Sequence, residues 1–144
     1  MSKIRKASPR KIPSLKRTLW KWLAQLVKQN TDECYTCGKL VVGREKQAGH
    51  FISRRMNSTI YDLRNIRTQC SRCNFNGGNV GVFSVKLRKE IGDKSFDELV
   101  KRSVKTHQWD EGDLGEMIAA LKEGSYIEKY EGIYQRARKQ KTIQ

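Results

Sequence analysis

No stretch of this sequence approaches the ~18–20 consecutive apolar residues that a helix needs to cross a bilayer, so no membrane span is expected. The basic segment from Met1 to Thr18 is followed by no apolar run of the kind a signal peptide carries, and a cytoplasmic protein is expected. No cysteine stands outside two Cys-x-x-Cys pairs. In a reducing compartment that arrangement points to metal rather than to disulfides. Acidic residues are scarce, 15 against 30 Lys and Arg, and the formal net charge is +15. Hydrophobic residues make up only 37% of 144, so one domain with a modest core is expected, and a small core usually needs a covalent or metal staple. Beyond the paired cysteine motif there is no internal repeat.

Such an excess of positive charge opposes compaction unless a polyanion shares the field, and nucleic acid is the usual one. A basic protein with no such partner is the plainer alternative. The charge is unevenly spread. Residues 1–30 carry nine Lys or Arg and no acid, and 1–13 read as a flexible basic arm. From Cys34 to Lys89 eleven basic residues face only Glu45 and Asp62, whereas Glu90 to Glu131 holds eleven of the fifteen acids. The centre and the arm therefore read as the nucleic-acid face. The acidic segment reads as a supporting or dimerisation layer.

Four regions are expected: the arm at 1–13, a helix at 14–30, a cysteine-bounded core at 31–92, and a helical region at 93–144 with a basic tail. Ser14, after Pro13, can cap a helix with Leu15, Leu19, Leu23, Leu26 and Val27 on one face. Trp20 and Trp22 flank that stripe and are expected to pack. Ala48–Ile52 and Ile66–Cys70 suit a short hairpin around a long loop. A helix from Val80 to Ile91 should bury Val82, Phe83, Leu87 and Ile91 and end at Gly92. Ser95 with Glu98, Asp113 with Glu116, and Ser125 with Glu128 have capping-box spacing, and the first should start a helix carrying Phe96, Leu99 and Val100.

Cys34-Tyr-Thr-Cys37 and Cys70-Ser-Arg-Cys73 each set two thiolates one tight turn apart, a reach suited to adjacent corners of a tetrahedral zinc site. Lys39, Arg44 and Arg72 nearby would favour the thiolates. Four thiolates close the coordination sphere, so such a zinc stabilises the fold and cannot activate water. Any chemistry needs other residues, and the insert of 32 residues between Cys37 and Cys70 is longer than a simple ribbon requires. There His50 follows a small turn and Asn65 comes 15 residues later, and just beyond the insert Asn74 directly follows Cys73. This is the order of a His-Asn-His nuclease motif. A neutral imidazole can take the proton of an attacking water near neutral pH, which makes His50 the candidate general base. Asn65 can bond the backbone of the long loop and hold that ring. Asn74 can present an amide oxygen to a hard cation. Arg54, Arg55, Arg64, Arg67 and Arg72 are candidate phosphate contacts. His107 is expected to be structural, Asn79 to cap the following helix, and Phe51 and Tyr61 to pack.

The run QAGHFISR at 47–54, YDLRNIRTQCSRCN at 61–74, GGNVGVF at 77–83 and LRKEIG at 87–92 resembles the lambdoid phage NinG (Rap) recombination family, over roughly residues 32–105. The knuckle followed by asparagine is also similar to phage endonuclease VII, a dimeric junction resolvase. The resemblance implies an α+β fold, a zinc-stapled ββα-metal (His-Asn-His) core surrounded by helices. It implies hydrolysis of phosphodiesters in Holliday junctions and other branched DNA, assisted by Mg2+ or Mn2+, in a homodimer. One departure stands out. Many nucleases of this type place a metal-binding Asp immediately before the histidine, and here that position is Gly49. A carbonyl, a water or another carboxylate must then serve, with Asp62 the preferred substitute unless it caps a turn or pairs with an arginine. Two readings follow, a metal-dependent structure-selective endonuclease and a zinc-stapled DNA-binding protein without catalysis.

Overall fold

The structure, a computed structural model, describes residues 11–131. The expected arm through residue 10 and the basic tail at 136–141 lie outside that range. Helix α1, Lys11–Lys28, buries Leu19, Leu23 and Val27 at successive i, i+4 positions. Helical backbone already includes Lys11, so Ser14 is interior to the helix and not its cap. Pro13 is tolerated in this first turn, where its missing N–H has no intrahelical partner.

A tight knuckle follows α1. Its Cys34 N–H donates to the Lys39 carbonyl (2.8 Å) and Gly38 N–H to the Cys34 carbonyl (2.9 Å), with Gly38 at φ 78°. Strand β1, Lys46–His50, pairs antiparallel with β2, Ile66–Cys70, from Lys46 opposite Cys70 to His50 opposite Ile66. The second strand falls where the sequence places it. The first ends two residues early because the Asn65 side chain takes both backbone groups of Ile52.

Helix α2, Ser71–Phe75, leaves β2 without a linker, Cys70 serving as its N-cap. Gly77 and Gly78, at φ 72° and 78°, turn the chain into α3, Val80–Ile91. Gly92, at φ 85°, then leads into α4, Asp93–Ser103. Helix α5, Glu111–Glu123, is capped by the Asp110 carboxylate on the Asp113 amide (2.8 Å), one turn earlier than the Asp113 box predicts. Ser95 likewise does not cap; it is buried inside α4. A π-helical turn, Ile127–Glu131, closes the described chain.

Two apolar clusters hold these pieces. The larger joins α1 and α5 through Leu19, Leu23, Leu114, Met117 and Ile118, with Tyr61 and Ile66 from the segment between them and Tyr126 from just after α5. The smaller packs Phe83, Leu87 and Ile91 of α3 against Phe96 and Leu99 of α4, with Phe51 and Ile52 laid on it. Val82, expected inside, is exposed, as is Val100, because each helix buries only the stripe facing the other. From the acid-rich C-terminal half it is α5 that backs α1, and an ion pair between Lys11 and Glu111 ties the two helices. Among the described residues no helix is long and apolar enough to cross a membrane.

Candidate metal centre and histidine site

The hairpin end, the first turn of α2 and the knuckle after α1 meet at four sulfurs. Those of Cys34, Cys37, Cys70 and Cys73 lie within 4.8 Å of one another, and Cys37 and Cys70 are 3.8 Å apart. A tetrahedral ion about 2.3 Å from each thiolate requires S–S edges of about 3.8 Å, so the four could hold a metal ion such as zinc. Burial acts to raise the Cys34 thiol, but bonds from the Thr36 hydroxyl and from backbone amides outweigh it and bring the pKa down to about 6. At Cys37 the Lys39 amide pulls downward, while desolvation and the neighbouring thiols push the pKa up to about 11. The cluster thus holds protons that a bound cation would release. Asn79, in the left-handed region at φ 50°, directs its amide toward Cys73 Sγ (3.8 Å). Its expected role as the cap of α3 holds in position only, since its side chain makes no cap bond.

Asn65 is fully buried and organises the long loop. Its Oδ1 accepts from the Ile52 amide (2.6 Å), and its Nδ2 donates to the carbonyls of Ile52 and Thr59 (both 3.1 Å). Both ends of the 51–60 loop are thereby tied to one side chain. The same loop presents the Ile60 carbonyl to His50 Nε2 at 2.9 Å. A carbonyl can only accept, so Nε2 carries the proton and the neutral ring leaves Nδ1 as a lone-pair acceptor. Burial lowers the His50 pKa to about 4; the Arg54 charge acts the same way, against the bond to Ile60. The ring stacks on Trp20 of α1 with centroids 4.9 Å apart and planes 25° apart, and the Arg54 guanidinium lies 4.7 Å from the Trp20 ring centre.

Asn74 is attached elsewhere. Its Nδ2 donates to Gln47 Oε1 at 2.8 Å, anchoring α2 to β1. Gln47 and His50 are three positions apart on the strand, so their side chains leave opposite faces. The structure therefore brings His50 and Asn65 together around one loop and sets Asn74 on the other face of β1.

Asp62 is not available as a metal ligand. Its side chain is 2% exposed and that of Arg64 3%, and the two form a bidentate pair, Nη2 to Oδ2 at 2.8 Å and Nε to Oδ1 at 3.1 Å. Asp62 Oδ1 also accepts the Arg64 amide (3.0 Å), capping the turn at Leu63–Asn65. These are the capping and pairing roles that stood as its alternative. The same burial removes Arg64 from the phosphate contacts: its Nη1 reaches Ser95 in α4. Arg67 is engaged by Glu90 and by the carbonyls of Leu63 and Ile66. Arg54, Arg55 and Arg72 remain exposed.

The glycine before His50 also has a structural cause. A Cβ at Gly49 would stand 1.9 Å from Gln69 Oε1. Gln69 is fully buried and held by bonds from its Nε2 to Thr36 Oγ1 (3.1 Å) and the Gly78 carbonyl (2.8 Å), while its Oε1 has no hydrogen-bond partner among the described residues. Gln69 thus fills the volume a carboxylate side chain at 49 would need. Sequence reasoning missed Trp20, Gln47 and Gln69. Only the alternation of the strands, which puts Gln47, Gly49 and Gln69 on one face, carried a signal for the last two.

These features define a small mixed α and β protein built on a two-stranded hairpin and a four-cysteine cluster. The family described as Bacteriophage Lambda NinG protein matches residues 2–129, and the chain belongs to that family. Membership points to a phage recombination-related protein. No curated protein and no solved structure matches the chain.

Proposed function

We propose that the protein is a divalent-cation-dependent, structure-selective endonuclease that cuts branched recombination DNA. The hairpin followed by α2 serves as a ββα-metal core, and the four cysteines serve as a structural zinc site. The observation that carries the reading is the state of His50: neutral, with Nε2 donating to Ile60 so that Nδ1 is the free acceptor, in a loop fastened by Asn65. In the proposed reaction His50 Nδ1 accepts the proton of the attacking water, and Arg54, Arg55 and Arg72 hold the phosphates of the bent strands. Asn65 acts by position alone.

The donors for a hard cation are few. Asn74 offers an amide oxygen on a side chain held by the bond to Gln47, while Asp62 is engaged by Arg64. Mg2+ or Mn2+ would then be shared between Asn74, waters and the DNA phosphates, as such ions commonly are. Asn74 and His50 leave opposite faces of β1, so the scissile phosphate would have to span the end of that strand for a cation held there to supply positive charge to the leaving oxygen. Symmetric cutting of a four-way junction requires two such sites about a twofold axis, hence a homodimer.

The second reading is a zinc-stapled DNA-binding protein without catalysis, favoured by the lack of a carboxylate at Gly49. One experiment separates them: a labelled four-way junction beside a matching linear duplex, in magnesium and in EDTA, with wild type and His50→Ala. The enzyme reading expects magnesium-dependent nicks near the branch, lost in the variant while junction affinity stays within a few-fold. Tight junction binding with no cutting in magnesium or manganese overturns it.

A further inference from the structure

The N-terminal helix lies outside the hairpin and the cysteine cluster, yet it reaches His50. Trp20 covers one face of the imidazole at 4.9 Å and 25°, close to parallel, and Arg54 from the long loop closes over the Trp20 ring at 4.7 Å. The Trp20 ring of α1 thus touches both His50 of β1 and Arg54 of the 51–60 loop. Ordinary core packing does not demand this arrangement, because Trp20 already meets the apolar cluster of α1 and α5 and is only partly buried. A ring fixed at its edge by Ile60 and on its face by Trp20 has lost both the rotation and the tilt that would misdirect Nδ1.

We propose that Trp20 is a positioning residue for His50, so that α1 forms part of the reaction centre and holds both the base and Arg54 against one indole. This deepens the nuclease reading and rests on it for the catalytic part. Trp20 does two things there. It excludes water from one side of the imidazole, which disfavours the imidazolium. It also gives the guanidinium an aromatic face to lie on, placing one positive charge next to the base. Among the described residues Arg54 is the charged group whose field reaches His50; Trp20 from α1 and the Ile60 carbonyl are its uncharged neighbours. The expected consequence is a base that stays unprotonated well below neutrality.

The test reads His50 itself before any cleavage. The chain has two histidines, so a His107→Gln background leaves one ring signal to follow by NMR across pH 3.5–8 in the full-length zinc-loaded protein. Trp20→Ala should raise the His50 titration midpoint by at least one unit toward the ordinary value of about 6.5, and Trp20→Phe, which restores a ring, should bring most of the shift back. Where Trp20→Ala fails to fold, Trp20→Gln keeps length and helical preference without the indole face and is read the same way. In cleavage assays the acid limb should move up with the midpoint. A full return to the ordinary value leaves about thirtyfold less neutral imidazole at pH 5, a loss that adds to the pH-independent fall in rate expected from a looser ring. A folded Trp20→Ala or Trp20→Gln protein whose His50 titrates as in wild type overturns the proposal. A raised midpoint without any cleavage activity supports the stack and refutes the nuclease reading instead.

Discussion

Arg64→Ala separates what the structure says about this arginine from what its place in a basic loop suggests. The side chain makes a two-pronged bond to Asp62 and reaches Ser95 in α4, so it joins the end of the long loop to the C-terminal half. Removing one partner of a buried ion pair leaves the other charge uncompensated, at a cost of about 3–5 kcal/mol. The lower end applies here. Arg102 Nη1 already lies 3.8 Å from Asp62 Oδ2 and is partly exposed, so it can move in and neutralise part of the charge. A loss of about 3 kcal/mol is therefore expected, which for a chain of this size is a fall in Tm of about 6–12 °C. The assay is denaturant unfolding with zinc in excess, paired with junction binding at fixed salt. Junction affinity should remain within about twofold. Replacing both partners, as Asp62→Asn with Arg64→Met, should recover part of the loss, because no buried charge is then left alone. A stability loss under about 1 kcal/mol, or weakened DNA binding with an unchanged unfolding midpoint, would refute the assignment of Arg64 to the interior.

The exposed arginines should behave in the opposite way: Arg72→Ala is expected to leave unfolding unchanged and to lower the slope of log affinity against log salt by about one, measured by titration on junction DNA. Cys73→Ser should lose one bound zinc per chain by elemental analysis and with it the cooperative unfolding transition; a folded, metal-free variant that still binds DNA would remove the staple from the account. Gly49→Asp, which restores the missing acid, is expected to destabilise without strengthening magnesium binding, since Gln69 must first leave Thr36 and Gly78; tighter magnesium binding by calorimetry in a stable variant would overturn that explanation. His50 has a folded pKa of about 4, below its unfolded value of about 6.5, so the unfolded chain takes up the proton first as pH falls. Its contribution is intact above about 6.5 and should shrink by about 2 kcal/mol between pH 7.5 and 5, read as the change in the stability difference between wild type and His50→Gln. A difference that does not vary with pH would show that the ring is not held neutral.

Several features of this protein follow from local chemistry, and those are the ones the sequence determined by itself. Strand β2, helix α3 and its stop at Gly92 depend on near-neighbour pattern and on a glycine at φ 85°, and they fall at the expected residues. Two Cys-x-x-Cys turns have little freedom in where their sulfurs can meet, so the four-sulfur cluster was also legible. The tertiary structure decided everything that depends on which distant groups become neighbours. Asp62 reads as a free carboxylate until Arg64 and α4 enclose it, and burial then turns a candidate ligand into half of an ion pair. Ser95 has the spacing of a cap but lies inside a helix and receives Arg64 instead. Trp20 reads as one of two tryptophans flanking an apolar stripe, and only the packing of α1 against β1 sets it on His50. Gly49 looked like a lost ligand; the structure makes it the space that Gln69 fills. Periodicity and spacing act within a few residues along the chain, whereas charge pairing, desolvation and stacking act across space, and the candidate site is made almost wholly of the second kind.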